Sequence, residues 1–535
     1  MENKGKYSYI IVGAGAAGCV LAARLSEDPN NSVLLLEAGG RDWNPLIHVP
    51  IGFTKLTTPD VNWGFSTVPQ PQMNDREMWY PQGRTLGGST SINAQIYIRG
   101  HRNDYEDWRK LGNEGWGYED VLKYFRASED NDRLNNKYHG RGGDMKVSQQ
   151  TQSNPLTRAF VRSLQEIGIP YNDDVNGAEQ DGVTFYQVTQ RNVRRESSAT
   201  AFLHPNEKRP NLKVITRAQG TRIIVENGCA VGLEFLEGKK KKAVAYVDKE
   251  VILSGGAVNS PKLLMLSGIG PADELRQVGI DVVHDLPGVG KNFQDHMDVY
   301  LTAETAPVSY NMEDRPLRAM RHAFQYLAFK TGPVTACVAE AGAFIRSSDE
   351  VENPDIQIHC LPAYVIDHGR MRVKGHGVTI NTCNLRPKSI GSVKLKSADP
   401  TVHPLIDPNF CGDSEQYDWK ISMEGFKWGR KILAAEAFAP FIKKEHLPGI
   451  DVQDENQVRK YIKEWSKTDY HPVGSCKMGS DDLAVVDTQL RVHGIQGLRV
   501  IDASIMPTLI SGNTQAPSIM IGEKGAAIIK AGKVI

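Results

Sequence analysis

The chain has 535 residues, too many for one hydrophobic core, so two large domains are expected. Its apolar (40%) and charged (24%) fractions are ordinary for a globular protein, and its 50 glycines point to tight turns and close backbone approaches. Lys and Arg (63) balance Asp and Glu (63), which excludes a global field that would gather nucleic acid or bind an acidic surface.

Lys4 and Lys6 precede an uncharged stretch, Tyr7 to Ala23, that imitates a secretory signal. The same residues make a nucleotide fingerprint that cleavage would destroy. Tyr7 to Val12 reads as a buried strand, a Gly/Ala turn follows, and Val20, Leu21, Ala23 and Leu25 mark a helix. Ser32 to Glu37 is a second buried strand, completing a βαβ unit. Gly13-Ala-Gly15-Ala-Ala-Gly18 joins strand to helix. Gly13 permits the turn, Gly15 lets a pyrophosphate reach the backbone, and Gly18 lets helix and strand pack. Ala16 and Ala17 open the helix whose N-terminus would hold the phosphates. Glu37, 19 residues past Gly18, is expected on the adenosine ribose beside Ala38 and disfavours NADP.

Residues 41–95 lack periodicity, and a loop that long is expected to be functional. Strands return over 213–257, with Gly220 and Ser254 expected against the cofactor. Within them the basic run Lys239–Lys242 reads as a hairpin turn, with a lipid contact as the alternative. DIQIHCLP, VTINTCNL and GSVKLKS, between 299 and 463, alternate like one face of an antiparallel sheet. The tail returns to a strand at Leu498–Ile501 and a last helix with Pro517 at its first position. The expected fold is α/β (α+β overall): a discontinuous Rossmann-like domain (1–150, 191–298, 464–535) with an inserted antiparallel-sheet domain (151–190, 299–463). A nucleotide fold that resumes at the far end of the chain suits a long cofactor such as FAD. The seven cysteines are scattered without a CxxC pair, so neither a disulfide framework nor a metal site is expected. No apolar run approaches the ~20 residues of a membrane span, and no GxSxG elbow suggests a hydrolase.

Gly83-Arg-Thr-Leu-Gly-Gly-Ser-Thr-Ser-Ile-Asn93 and Gly256-Ala-Val-Asn-Ser-Pro-Lys-Leu-Leu-Met-Leu-Ser-Gly-Ile-Gly270 resemble the two signatures of the glucose-methanol-choline (GMC) oxidoreductases. With Leu286–His296 and the C-terminal motifs, the resemblance covers essentially the whole chain. It is strongest to the choline-dehydrogenase-like branch, especially flavin-linked dehydrogenases of aliphatic primary alcohols and, next, of L-sorbose. Asn44–Pro50, Gly182–Gln190 and Leu361–Arg370 carry that likeness.

The resemblance implies FAD bound at the domain boundary, in an architecture like that of p-hydroxybenzoate hydroxylase. Arg84, Gly87, Gly88, Ser89, Asn93 and Ala94 of the first signature are then expected on the cofactor, with Asp502, Ala503 and Thr514 from the tail. In relatives that bind FAD covalently the linking histidine falls at the position of Ile92, so the cofactor is expected to be non-covalent. Tyr470-His-Pro-Val-Gly-Ser-Cys-Lys-Met-Gly479 resembles the segment carrying the family's catalytic histidine, His471. Its partner, His or Asn in the family, is Asn513 here. An amide is no base at neutral pH, so His471 is expected to be the only base in reach, removing the alcohol proton as hydride passes to flavin N5. Asn513, following Gly512, also suits a left-handed turn. Glu340 is a candidate pocket residue. The expected partners are a small alcohol and a quinone or other electron acceptor, with choline, sorbose or an oxygen-using oxidase as alternatives. The expected location is the cytoplasm, with peripheral contact at the inner membrane face left open.

Overall fold

The computed structural model of the protein describes residues 1–532 apart from 239, 312, 314 and 372. Glu2–Val12 runs parallel to Val33–Glu37 on one side and to Lys241–Leu253 on the other. Leu212–Thr216 extends the parallel set, and Cys229–Glu237 and Ala218–Glu226 continue the sheet as antiparallel hairpins. Leu498–Val500 pairs with the end of Lys241–Leu253, completing a seven-stranded sheet. All five residues of Val33–Glu37 are buried, as both faces of a parallel strand must be. The hairpin expected around the lysine run is present, although Lys239 lies outside the described residues.

The turn after the first strand holds Gly13 at φ 107°. A Cβ on Gly18 would stand 1.9 Å from the Gly13 carbonyl oxygen, so helix Ala16–Leu25 lies against the strand only because that atom is missing. The terminal helix, Gln515–Ala531, packs along it: Gly522 seats on Ala17 and Val20, and Arg24 grips Glu523 bidentately at 2.8 and 2.7 Å. Pro517 falls at the third position of this helix rather than the first. The first ladder bond runs from Ser518 N–H to the Thr514 carbonyl, so a proline at 517 forfeits nothing.

A second seven-stranded sheet is antiparallel throughout, in the order Ile442–Leu447, Met297–Thr305, Gly377–Asn384, Ile356–Leu361, Ala341–Ile345, Gly182–Phe185. Lys467–Thr468 adds a short rung beside Met297 and Asp298. Strands of this sheet therefore include residues 297–298 and 467–468, on the far side of the expected boundaries, which pattern alone places poorly. The expected half-solvated alternation does not hold: every residue of Gly377–Asn384 is buried. Ile356, Ile358 and Cys360 pack on helices Pro155–Glu166 and Tyr417–Leu433, while the intervening Gln357 and His359 are also buried, on the other face. Ser392–Lys394, from GSVKLKS, is not part of this sheet and pairs only with Leu405–Asp407. Its one buried side chain, Val393, packs with Phe65 and Phe293 instead.

Gly18→Ala should lower the melting temperature and strip bound flavin, because the added methyl meets backbone that cannot step aside. Overpacking of this kind costs ~1–3 kcal/mol, and a thermal melt with the ratio of flavin to protein absorbance reads both effects.

Candidate functional site

A cavity of about 1020 Å³ runs from the βαβ turn to the second sheet. At one end its wall carries Gly13, Gly15, Ala16 and Ala17, with Glu37 and Ala38 beyond them. Gly88, Ser89, Asn93 and Ala94 supply one side, and Gly220, Ser254, Asp502, Ala503 and Thr514 the other. His471 and Asn513 stand together at the far end. Three expected cofactor residues lie off this wall. Gly18 faces the Gly13 carbonyl; Gly87, at φ 86°, donates its N–H to the Ala14 carbonyl; Arg84 stacks on Trp63, 4.7 Å from the ring centroid. Glu340 is also behind the wall, where its carboxylate accepts from Asn154 N–H, the Thr157 hydroxyl and the Tyr310 hydroxyl.

The wall suits a dinucleotide. Helix Ala16–Leu25 and the terminal helix both begin on it with neither an acidic first turn nor a side-chain cap, leaving N–H groups for a diphosphate. Glu37 is buried, and burial pushes its carboxyl up to about 7 against hydrogen bonds from Gly39 N–H (2.7 Å) and Ala14 N–H (3.0 Å). Ribose hydroxyls would add donors to a group short of solvation. Asp502 lines the wall but spends its oxygens internally, accepting from Ser504 N–H and hydroxyl on one and from Gly256 N–H and the Ser260 hydroxyl on the other. It caps the turn Ala503–Ile505 and fixes the Gly256 turn, and so shapes the wall.

At the reactive end His471 is held by backbone and ring. Its N–H donates to Asp295 Oδ1 (2.8 Å), while Asp295 Oδ2 accepts from the Tyr80 and Thr468 hydroxyls at 2.5 Å each. Tyr470, just before it, sits at φ 71°, a left-handed conformation rare for an aromatic residue. The ring contacts fix the tautomer by elimination. His296 Nε2 lies 3.1 Å from the Leu385 carbonyl, which only accepts, so Nε2 carries the proton and His296 Nδ1 the lone pair. His471 Nδ1, 3.0 Å from that lone pair, must then be the donor, leaving the lone pair of His471 on Nε2. There Asn513 Nδ2 donates to it at 3.0 Å, while Asn513 Oδ1 accepts from Gln357 Nε2 at 3.2 Å. Gly512, not Asn513, takes the positive φ (146°) of that turn.

His471 is thus not the only imidazole in reach, as expected from its motif; His296 and His359 both stand close by. Neither offers a free nitrogen. His359 Nδ1 is 3.0 Å from the Tyr186 hydroxyl, and its Nε2 is 3.6 Å from Asp469 Oδ2, which lies equally far from His471 Nδ1. Burial pushes His471 down to about 4 against the pull of Asp469, and burial with the charge of His471 pushes His296 down to about 3. Burial pushes the Asp469 carboxyl up, but the nearby His359, His471 and Lys467 outweigh it and hold the carboxyl below its usual range. The arrangement is a neutral imidazole with a carboxylate fixed 3.6 Å behind it, a pairing that could balance an imidazolium. Sequence reasoning missed Asp295, His296, Gln357, His359 and Asp469. Only Asp295 and His296 had a signal, at the end of the Leu286–His296 motif.

Residues 7–298 and 387–522 match the N- and C-terminal models of the GMC oxidoreductases. Alcohol dehydrogenase [acceptor] of Pseudomonas putida is 48% identical, over 98% of this chain and 95% of its own. Mitochondrial choline dehydrogenase of Mus musculus is 44% identical, over 99% of this chain and 90% of its own. Pyridoxine 4-oxidase from Mesorbium loti superposes with a TM-score of 0.89 at 30% identity, covering 98% of this chain and 99% of that one. Aspergillus oryzae formate oxidase, whose structure concerns FAD modification, gives 0.92 at 27%, covering 99% and 98%. With a dinucleotide cavity, a buried histidine at its end and these matches over nearly the full length, the chain belongs to the GMC oxidoreductases, a family of FAD-binding enzymes.

Proposed function

We propose that the protein oxidises an uncharged primary alcohol to the aldehyde, with non-covalent FAD and a quinone or artificial electron acceptor, and that His471 Nε2 takes the hydroxyl proton. The observation that carries this reading is a buried, neutral His471 whose lone pair is on Nε2, where it meets the Asn513 amide. In this reading residues 1–150, 191–298 and 464–535 hold the cofactor and the inserted sheet holds the substrate. The bound flavin supplies the hydride acceptor. The chain's own residues do the rest. Asn513 Nδ2 has a second N–H for the alcohol oxygen, and Gln357 keeps that amide from turning over. His471, buried at the end of the cavity, accepts the proton, and Asp469 steadies the charge that results. Asp295 and the left-handed Tyr470 keep the ring aimed.

An uncharged substrate is favoured by the wall itself. Among the described residues its carboxylates beyond the nucleotide end are Asp469, between two imidazoles, and Glu313, engaged by Arg318 and His322. Neither is left for a quaternary ammonium, so choline would have no carboxylate to meet and would depend on the faces of rings such as Trp79, Tyr310, Tyr364 and Tyr470. A comparison of linear primary alcohols, sorbose and choline under one dye tests this. Turnover of choline above the alcohols would refute it.

His471→Ala should keep its yellow FAD and lose kcat/KM by ~10²–10⁴. In the native enzyme kcat/KM should be level above about pH 5 and fall only as pH drops through about 4, where His471 takes a proton and the base is lost. His296→Leu removes the acceptor of the Nδ1 proton and frees His471 to place that proton on Nε2. Leaving one buried donor unmade costs ~1–3 kcal/mol, so kcat/KM should fall by about tenfold or more with KM nearly unchanged; equal activity would refute the tautomer assignment. With Ile92 on the wall where a linking histidine would sit, acid precipitation should release all flavin to the supernatant.

A further inference from the structure

We propose that helix Pro316–Phe329, part of the cavity wall, is a docking face for an anionic lipid bilayer. Leu317, Met320, Phe324 and Leu327 are 83, 70, 66 and 71% exposed, and their i, i+3, i+7, i+10 spacing places them on one side of the helix. Phe329, 66% exposed, packs edge-on against Phe324. Single exposed apolar side chains are commonplace, but five large ones on one 14-residue helix form a patch. The buried contact of this helix is Tyr326, whose hydroxyl reaches the Val193 carbonyl at 2.9 Å.

Charge says what covers the patch. Arg315, Arg318, Arg321 and Lys330 frame it, and no Asp or Glu occurs from 315 to 339. Arg318 is paired with Glu313 at 2.7 Å; Arg315 and Arg321 are exposed beside the apolar stripe. Large apolar side chains framed by cations suit the boundary between acyl chains and anionic headgroups. Leu317, Met320 and Phe324 lie off the cavity wall, so this part of the stripe offers a partner protein no pocket to fill. Position supplies the purpose. Ala319, His322, Ala323, Tyr326 and Leu327 also line the cavity, so the helix that carries the stripe is part of the cavity wall. A lipid-dissolved quinone would then be held close to the cavity, a benefit that rests on the acceptor proposed above; the docking itself does not.

The test is flotation of the FAD-loaded protein with vesicles. Equimolar phosphatidylcholine and phosphatidylglycerol vesicles should bind it, and pure phosphatidylcholine about tenfold more weakly. The Leu317→Ser, Met320→Ser, Phe324→Ser triple variant should lose binding to both by about tenfold or more, and Arg315→Gln with Arg321→Gln should lose only the preference for the anionic vesicles. Both should keep the native melting temperature and dye-linked alcohol oxidation. Absent vesicle binding, or binding that neither variant weakens, overturns the proposal. So does a solution dimer that the triple variant dissociates, since a second copy would then cover the face. Lack of alcohol oxidation with a soluble dye would instead refute the proposed reaction and leave the vesicle result standing.

Discussion

A base that works in a buried pocket has to be neutral, yet it also has to keep one particular nitrogen unprotonated, and burial secures only the first of these. Desolvation drives His471 to the neutral form, but a neutral imidazole has two tautomers, one of which has no lone pair facing the substrate end. The choice is made by a main-chain carbonyl, that of Leu385, and passed through His296 to His471 Nδ1. A carbonyl cannot change its protonation with pH, so the direction of the relay is fixed by the fold.

Around this relay the polar groups form a chain of hydrogen bonds whose two ends, His359 and His471, each come within 3.6 Å of Asp469. His471 meets Asn513, Asn513 meets Gln357, Gln357 donates to the Tyr186 hydroxyl, and Tyr186 meets His359. Each member orients the next, which is why an amide can stand where some relatives carry a second histidine. Two of these members, Gln357 and His359, come from one strand of the inserted sheet, two apart as the period of a strand requires. The sheet therefore helps to hold Asn513 in place beside His471.

The parts legible in the sequence were those with local causes. The βαβ turn needs glycines at fixed offsets, the parallel strands are continuously apolar, and His471 and Asn513 lie in long motifs. The chain of hydrogen bonds was illegible because its members are scattered from 186 to 513 and each looks ordinary alone. Gln357 and His359 read as the solvent side of an amphipathic strand, and nothing local says that this side faces another domain. Pro517 was misplaced by two residues because all of the first helical turn tolerates proline. Glu340 looked like a pocket acid because an isolated carboxylate in an apolar run suggests function, yet its hydrogen bonds to Asn154, Thr157 and Tyr310 make it a brace behind the wall.

The seating of Gly522 on Ala17, locked by Arg24 and Glu523, joins segments separated by nearly the whole chain. The fingerprint for the cofactor is made early in synthesis, long before the helix that covers its outer face and completes the far wall. Until then the helix Ala16–Leu25 has an apolar side without a partner, and the phosphate site has only one of its two helix ends. Closing so long a loop carries an entropic cost that local contacts cannot offset. Capture of FAD is thus a late event in the life of the nascent chain, and chains still waiting for it are the ones most exposed to aggregation.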